Sequence, residues 1–513
     1  MTDKQNRWFV LAVVAGCYLP VAADATILNI AVPSLTDTLG ATAREVLWIA
    51  DIYPLMMVGL VLVTGPLGDR MGHKRLLLLG LAVFGVASAV SAFSPTPPLL
   101  IAGRAALATG ASMIIPATLA IIRQVFHDDR ERAVAIGVWS AVASGGAAVG
   151  PVAGGALLEH FWWGSVFLIN VPIVGLALVL VTVLLANRAA EHKEPWEPLS
   201  PVLGIVGVVG VVYAVKALAH SGSSATEFLV PGLVGATVLV LFVRRQLRAR
   251  HPMLDLTLFA ERRFRIGVLA SVVPVLVMVG FELLLAQELQ FVLGLSPWEA
   301  GFFLLPMPIA AFVGGPLGGF LVSRLGLRGV VSAGLVMAAV GYAGTAAFST
   351  QHASGVIMVC LVLIGAGHGA VQTVASDAIM TGAPQHRAGA AASIESVSYE
   401  VGAGLGIALL GSLMAALYTH SFVLPDKLEA VTPSEAGNSI GEGVTAARRV
   451  GGEAGDLIAD AARSAYTYGF RLTAVVACVT VALLAMFTSV ALRQRKPGRQ
   501  ETEPAGTASR GQA

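Results

Sequence analysis

Long apolar stretches alternate with short polar segments between Trp8 and Leu492. Because an apolar run of about 20 residues crosses a bilayer as a helix, the pattern predicts an all-α, multi-pass membrane protein. The 513 residues are 56% apolar and 12% charged, which excludes a soluble globular domain. We place fourteen spans near residues 9–32, 47–67, 76–94, 99–122, 133–157, 164–186, 199–218, 228–247, 265–293, 300–322, 329–348, 355–380, 388–418 and 469–491.

The distribution of lysine and arginine predicts the orientation of these spans. An even number of crossings puts both termini on one side of the membrane. With the N-terminus inside, nearly every basic residue falls on inner segments, and the outer segments hold only Arg44, Lys427, Arg448, Arg449 and Arg463. Short inner loops are enriched in basic residues, so we expect both termini in the cytoplasm. No small-residue cleavage site follows the first apolar run, which we therefore interpret as a span and not as a signal peptide.

Three segments interrupt the rhythm of short loops. The inner segment 244–265 predicts an amphipathic linker on the membrane surface, and a cytoplasmic tail covers 493–513. The outer loop 419–466 has apolar residues at helical spacing and predicts a short helical hairpin. A cap over an outer exit and a solvated variable loop both remain open for this loop.

An internal sequence repeat predicts two related halves. The string GPLGDRMGHKR at 65–75 recurs in weaker form as GPLGGFLVSRLGLR at 315–328, each time at the inner end of a span. Such repeats are common in transporters, where the substrate binds between the halves near the membrane midplane.

Several carboxylates lie inside predicted spans, where a charge is costly and usually faces a polar cavity. Asp24 and Glu395 have no charged neighbour in their own spans that would neutralise them, and Glu282 lies deep in the ninth span. Glu400 is about 140° around the helix from Glu395, and we favour Glu395 for the cavity. Burial raises the pKa of a carboxyl group, whereas a bound cation favours ionisation, so a proton and a cationic substrate would compete for such a site.

Asp51 follows Trp48 by three residues, so the two share one helix face. An acid beside an aromatic ring is a plausible cation site, because the ring adds cation–π attraction. An outer-interface tryptophan beside a solvated aspartate is the alternative.

Arg104 lies about one turn inside the fourth span. An arginine at that depth is expensive unless it is paired, so we expect it to couple to a titrating acid; extension to the outer interface is the alternative. Further candidates are Glu288, which the solvent at the outer end could reach, and Asp377, which Arg387 could neutralise. We expect His368 to be a packed polar residue.

Two glycine-rich motifs predict close helix contacts. In the first, Gly65, Gly68 and Gly72 permit a tight turn, and the charged residues Asp69, Arg70, Lys74 and Arg75 are placed to pair with helix ends or acids. In the fifth span, Gly146, Gly150 and Gly154 recur every four residues on one helix face, with Pro151 and Gly155 beside them. Such a stripe lets helix backbones approach closely.

These motifs together resemble those of a known family. GPLGDRMGHKR is similar to the first signature of the major facilitator superfamily, Arg104 with Gly110 to its second, and GGAAVGPVAGG to its antiporter signature. DATILNIAVPSL, LWIADIY and FLINVPIVG resemble the fourteen-span drug/proton antiporters related to QacA. The resemblance implies two six-helix bundles, here 1–190 and 251–513, with an inserted helix pair within 191–250.

For function, the resemblance implies export of lipophilic cations, namely quaternary ammonium compounds, dyes and biguanides, driven by proton entry across a bacterial inner membrane. It implies substrate or proton sites at Asp24, Asp51, Glu395 and Glu400. The chain departs from the family in two places. Ile394 precedes Glu395 where relatives often have paired acids, and the tenth span has Ala310 and Ala311 where some relatives have an acid.

We accordingly expect a monomer in the lipid bilayer that binds small lipophilic cations and protons, with no cofactor, metal or nucleic acid. Two alternatives remain, an exporter of one natural metabolite or antibiotic, and a non-transporting membrane sensor. An enzyme is not expected, because no nucleophile–base set, metal-ligand cluster or phosphate-binding loop is present in the sequence.

Overall fold

A computed structural model describes residues 2–185, 199–219, 224–249, 254–348, 354–384, 387–424 and 433–492, and it is helical throughout these ranges. The α-helices are α1 (Thr2–Leu39), α2 (Ala43–Met71), α3 (His73–Ala92), α4 (Pro97–Val125), α5 (Asp129–His160), α6 (Ser165–Leu168), α7 (Asn170–Leu184), α8 (Leu199–Ala219), α9 (Ala225–Arg248), α10 (Arg262–Gln287), α11 (Pro297–Leu304), α12 (Pro306–Ala347), α13 (Ser354–Gly382), α14 (Ala388–Ser421), α15 (Ile440–Val450) and α16 (Gly452–Ala491). Short 3₁₀-helices cover Leu256–Ala260 and Ser434–Gly437, and a π-helical turn covers Glu288–Val292.

The prediction of an all-α, multi-pass membrane protein is confirmed. Among the described residues, 13 helical segments are long and apolar enough to cross a membrane. One of them, Pro297–Ala347, is 51 residues long and contains both the tenth and the eleventh predicted spans. These two spans are separated within α12 at Gly326, whose φ of 68° and ψ of 167° are not helical.

The two related halves turn at glycines in equivalent places. Gly72, between α2 and α3, has φ 90°, and Gly326, which follows the second copy of the GPLG string, has φ 68°. A side chain at either position would be strained, because positive φ is favourable only for glycine. We call the end of the bundle near these two turns the inner end, and the opposite end, near Leu39, the outer end.

The first motif closes the inner end of the N-terminal helices through Lys74. Its Nζ donates hydrogen bonds to the carbonyl oxygens of Thr182 at 2.9 Å and Leu185 at 2.5 Å, where α7 ends. A positive charge there is favourable because the last carbonyls of a helix are unpaired and carry partial negative charge.

The other members of this motif occupy varied surroundings. A Cβ on Gly68 would lie 2.7 Å from His73 Nδ1, whereas one on Gly65 would have no neighbour within 4 Å. Arg70 and Arg75 are exposed. The side chain of Asp69 lies outside the described part of the structure.

The glycine stripe of α5 packs against α1. A Cβ on Gly146 would lie 2.9 Å from Ala22 Cβ, one on Gly150 only 2.1 Å from Thr26 Oγ1, and one on Gly154 2.6 Å from Ile27 Cγ1. Thr26 also donates a hydrogen bond to the carbonyl of Ala147 at 2.9 Å. The stripe therefore brings α5 against the part of α1 that contains Asp24.

Pro151 and Gly155 contact the other half of the molecule. A Cβ on Gly155 would lie 2.5 Å from the carbonyl oxygen of Pro297, and a Cβ on Gly301 would lie 2.4 Å from the carbonyl oxygen of Pro151. The backbones of α5 and α11 are thus in direct contact. On the opposite side of the molecule, Gly411 of α14 packs against Leu47 of α2. The two halves are closely packed at their outer ends.

The outer loop 419–466 contains a helical hairpin, as its apolar spacing predicts, but it is shorter than predicted. Helix α14 continues to Ser421, and α16 begins at Gly452, so much of the expected loop belongs to long helices. The short helix α15 reaches back to the N-terminal half. Glu442 Oε1 accepts a hydrogen bond from the Ala43 amide at 2.8 Å, and Arg448 forms a 2.6 Å ion pair with Asp37. Because α15 is packed in this way, it is not a freely solvated loop.

The predicted amphipathic linker 244–265 is shortened at both ends by helices. Helix α9 continues to Arg248 and α10 begins at Arg262, and the described residues between them include only a short 3₁₀-helix. Residues 250–253 lie outside the description.

The inserted helices α8 and α9 pack against each other, and α8 also packs on both halves. A Cβ on Gly59 of α2 would lie 2.4 Å from Ile205 Cγ1 of α8. Val212 of α8 is buried in one cluster with Leu55 of α2 and Ala408 of α14. Helix α8 therefore lies along the seam between α2 and α14.

Candidate proton and substrate site

The centre of the N-terminal half contains a buried ion pair. Asp24 of α1 and Arg104 of α4 are each 1% exposed, and Arg104 Nη1 donates a hydrogen bond to Asp24 Oδ2. Arg104 Nε also donates to the Ile49 carbonyl of α2 at 3.3 Å, and the guanidinium carbon lies 4.8 Å from the centre of the Tyr53 ring. The arginine is paired inside the bundle and does not extend to the outer interface. It links α1, α2 and α4 around one carboxylate.

Asp24 keeps part of its hydrogen-bonding capacity free. Its Oδ1 atom is buried and has no hydrogen-bond partner among the described residues. Asn170 of α7 is a further polar neighbour, close enough to interact with the carboxylate. A buried oxygen without a partner is costly, because it has lost water and gained nothing in exchange. A proton or a cationic ligand would supply the missing partner.

Two carboxyl groups of the C-terminal half reach the helices of the N-terminal half. Glu282 of α10 is 7% exposed and lies beside Asn29 of α1. Glu400 of α14 lies in the neighbourhood of Tyr18 of α1 and of Tyr53 of α2. Since Tyr53 also lies beside Arg104, Glu400 and the Asp24 pair face a common region between the halves.

Glu395 lies in surroundings that differ from those of Glu400. Its side chain lies beside Ser376 of α13, inside the C-terminal half, and the preference for Glu395 as the cavity residue stays a prediction. The separation of about 140° on one helix turns Glu395 away when Glu400 faces the N-terminal half. Sequence alone provides the angle between the two residues but not which of them points inward.

Aromatic side chains line the same region. Tyr18 and Trp139 are stacked with ring centres 4.6 Å apart and an angle of 10° between their planes. Trp139 is held in place by a 3.1 Å hydrogen bond from its Nε1 to Thr118 Oγ1. Flat aromatic faces beside carboxylates are suited to planar organic cations, which they bind by stacking and cation–π attraction.

Asp51 is neither solvated nor open to a ligand. Its carboxylate is fully buried and forms a 2.6 Å ion pair with Lys216 of α8, and the Lys216 ammonium lies 3.9 Å from the centre of the Trp48 ring. The predicted acid-plus-aromatic cation site therefore exists, but a lysine of the chain itself occupies it. Sequence reasoning missed Lys216, although a lysine inside the apolar run VVYAVKALA is as unusual as Arg104.

The remaining candidates do not join this region. Glu288 is 1% exposed, so it is not solvated, and it accepts a 3.3 Å hydrogen bond from Thr467 Oγ1. Asp377 lies 3.6 Å from Arg263 in an exposed ion pair, whereas Arg387, its expected partner, pairs with Asp255 at 2.8 Å. His368 is packed inside the C-terminal half, as expected.

Comparison with known proteins places this geometry in a family. The sequence profile described as "Major Facilitator Superfamily" matches residues 14–407. The chain is 45% identical over 497 residues to "Methyl viologen resistance protein SmvA" of Salmonella typhimurium, with 96% of this chain and 100% of that protein covered. It is 37% identical over 489 residues to "Multidrug efflux pump LfrA" of Mycolicibacterium smegmatis, with 95% and 97% covered.

A third relative, "Tetracenomycin C resistance and export protein" of Streptomyces glaucescens, is 32% identical over 526 residues, with 99% of this chain and 96% of that protein covered. Among solved structures, a bacterial homolog of the human lysosomal transporter Spinster, in an inward-facing and unoccupied conformation, matches with a TM-score of 0.67. It shares 19% identity and covers 95% of this chain and 97% of its own, which shows the fold.

These findings identify the protein as a multi-pass membrane transporter with the major facilitator fold, and not as an enzyme. The chain belongs to the Major Facilitator Superfamily.

Proposed function

We propose that the protein exports lipophilic cationic drugs in exchange for protons, by alternating access between two six-helix bundles. The observation that carries this proposal is a set of carboxyl groups inside the bundle. Asp24 lies within the N-terminal half, Glu282 and Glu400 lie on helices of the C-terminal half that reach it, and the Tyr18–Trp139 stack lies near Glu400. A cation and a proton would compete for these groups. Relatives named for methyl viologen resistance and multidrug efflux support the substrate class.

Arg104 would supply the coupling. When a proton neutralises Asp24, the buried guanidinium loses its partner charge and the ion pair must rearrange, which joins proton binding to movement of α1 against α4. Exchange of one proton for one monovalent cation moves no net charge, so the pH gradient drives it and not the membrane potential. A gradient of one pH unit supplies about 1.4 kcal/mol, which corresponds to about tenfold accumulation of the cation. No cofactor is needed for such a cycle.

The domain boundaries belong to the same proposal. The six-helix bundles would cover 1–190 and 251–513, with 191–250 holding the inserted pair. We place the transporter in the bacterial inner membrane as a monomer with both termini in the cytoplasm, an orientation that the basic inner segments support.

The test is transport in liposomes with an imposed pH gradient. Purified protein is reconstituted with an acidic lumen, and the entry of ethidium is followed by its fluorescence on encapsulated DNA; methyl viologen is measured in parallel. We expect uptake that depends on the gradient and stops when a protonophore collapses it. Gradient-independent movement would contradict proton coupling, and no movement of either cation would contradict the substrate class.

A second candidate is export of one natural product. The 32% identity to the tetracenomycin C export protein over nearly the whole chain favours it. The same liposomes distinguish the two, because a dedicated exporter would leave several unrelated cations untouched while moving a single compound such as tetracenomycin C.

The structure also predicts which acid of α14 matters for transport. We expect Glu400→Gln to reduce ethidium transport about tenfold or more, since an interaction with a charged group is worth about 1.5–3 kcal/mol. Glu395→Gln is the matched control on the same helix, and we expect transport within about twofold of the wild type because its side chain faces Ser376. If Glu395→Gln lost more ethidium transport than Glu400→Gln, Glu395 would be the acid of α14 that takes part in transport.

A further inference from the structure

Lys216 is held by groups that would suit a bound organic cation. The carboxylate of Asp51 lies 2.6 Å away on one side, and the ring of Trp48 lies 3.9 Å from the ammonium on another. Tyr213, one turn before Lys216, has its ring centre 6.1 Å from that of Trp48, and its outer face is covered by Arg44 at 4.7 Å. A carboxylate and an aromatic face are the two features that stabilise a desolvated ammonium.

The helix that carries Lys216 does not belong to either half. Helix α8 is the first of the inserted pair, and it packs on α2 through Gly59 and on α14 through the cluster around Leu55 and Ala408. Most of its contacts with these helices are apolar and therefore compatible with sliding. The pair between Lys216 and Asp51 is a directional link between α8 and α2 with a full charge on each side.

The two buried ion pairs found among the described residues thus differ in what they connect. Arg104 and Asp24 join two helices of the N-terminal half, next to the carboxyl groups that face the other half. Lys216 and Asp51 join the inserted pair to that half. A pair with both partners below 6% exposure does not release a carboxylate to a ligand easily, because the lysine would be left buried without its counter-charge.

We propose that Lys216 is a positioning residue that serves as the built-in counter-cation of Asp51. It fastens the inserted helix pair to α2 along the seam with α14, and it keeps Asp51 out of the binding of transported cations and protons. The proposed function therefore works with Asp24, Glu282 and Glu400, and Asp51 has a structural task.

A set of four variants tests this assignment. Lys216→Met and Asp51→Asn each leave one buried charge alone, and the double variant Asp51→Asn/Lys216→Met removes both. For each variant, the folded yield is measured by size-exclusion chromatography, and ethidium transport in liposomes is normalised to folded protein. Arg263→Met, which breaks the exposed pair with Asp377, is the matched control for loss of a cation.

We expect each single variant to lose at least about tenfold in folded yield or transport, because removing one partner of a buried pair is strongly destabilising. The double variant should return to within about threefold of the wild type, and Arg263→Met should stay at the wild-type level because exposed pairs contribute little. The variant Lys216→Arg, which keeps the positive charge, should retain more ethidium transport than Lys216→Met.

One result would overturn the proposal. If the double variant folds at wild-type yield but transports no better than Asp51→Asn, then Asp51 itself takes part in transport and Lys216 is not simply its counter-cation. Absence of ethidium transport by the wild type would instead contradict the proposed function. In that case the folded yields of the four variants still decide whether the pair fastens α8 to α2.

Discussion

Asp24→Asn is expected to abolish gradient-driven ethidium transport, with a loss of about a hundredfold or more. The substitution keeps the size of the side chain but removes the charge that faces Arg104, which is 1% exposed and hydrogen-bonded to Asp24. Breaking a buried pair by removal of one partner costs about 3–5 kcal/mol, and about 3 kcal/mol corresponds to a hundredfold change in an equilibrium. Asparagine also cannot take up and release a proton in the transport cycle.

The measurement separates coupling from folding. Transport is normalised to the folded fraction, and Asp377→Asn serves as the control because it removes a carboxylate from an exposed pair. The double variant Asp24→Asn/Arg104→Gln removes both buried charges, so it should recover folded yield while transport stays absent. Recovery of transport in the double variant would mean that Asp24 has only a structural role. The absence of transport expected here is the opposite of the recovery expected for the double variant of Asp51 and Lys216.

Gly150→Val is expected to prevent assembly of the N-terminal half. A Cβ at this position would lie 2.1 Å from Thr26 Oγ1 and 2.8 Å from the carbonyl oxygen of Ala23, and a backbone atom cannot move aside as a flexible side chain does. Overpacking usually costs about 1–3 kcal/mol. Valine adds two methyl groups beyond the Cβ atom, and the gap has no room even for the Cβ atom. We expect folded yield to fall about tenfold or more.

The control for this variant is Gly145, five residues before Gly150 on α5. A Cβ on Gly145 would meet nothing within 4 Å, so Gly145→Val should fold at close to the wild-type yield. Gly150→Ala is informative because α1 would have to separate from α5 by a small distance near Asp24. We expect it to fold in part and to lose transport. A wild-type rate for Gly150→Ala would show that the close α1–α5 contact is not needed for the cycle.

Part of the site was predictable because placing a charged side chain in an apolar span costs free energy wherever its partner lies. An arginine or a carboxylate inside an apolar span must be compensated somewhere, so Asp24, Arg104 and Glu282 stand out in the sequence without any knowledge of their partners. The glycine spacing in α5 is a local property of one helix in the same way. It identifies a face for close packing, and the structure shows that α1 occupies it.

The identity of each partner was not predictable in this way. Asp24 and Arg104 are 80 residues apart in sequence, and which acid meets which cation depends on how the helices are arranged around one another. The same limit applies to the two acids of α14 and to Asp377. The spacing of Glu395 and Glu400 predicts that they face different surroundings, but the rotation of α14 decides that Glu400 faces the N-terminal half. Asp377 likewise pairs with Arg263, which no local pattern marks as its neighbour.

By itself the sequence determined the membrane class, the turn at Gly72, and the residues whose burial needs an explanation. These follow from the cost of placing polar groups in hydrocarbon and from the backbone freedom of glycine, both of which act on short stretches of chain. Only the tertiary structure decided that Arg104 satisfies Asp24 while Lys216 satisfies Asp51. Opposite charges attract wherever they meet, so the pairing depends on which helices are brought together by packing.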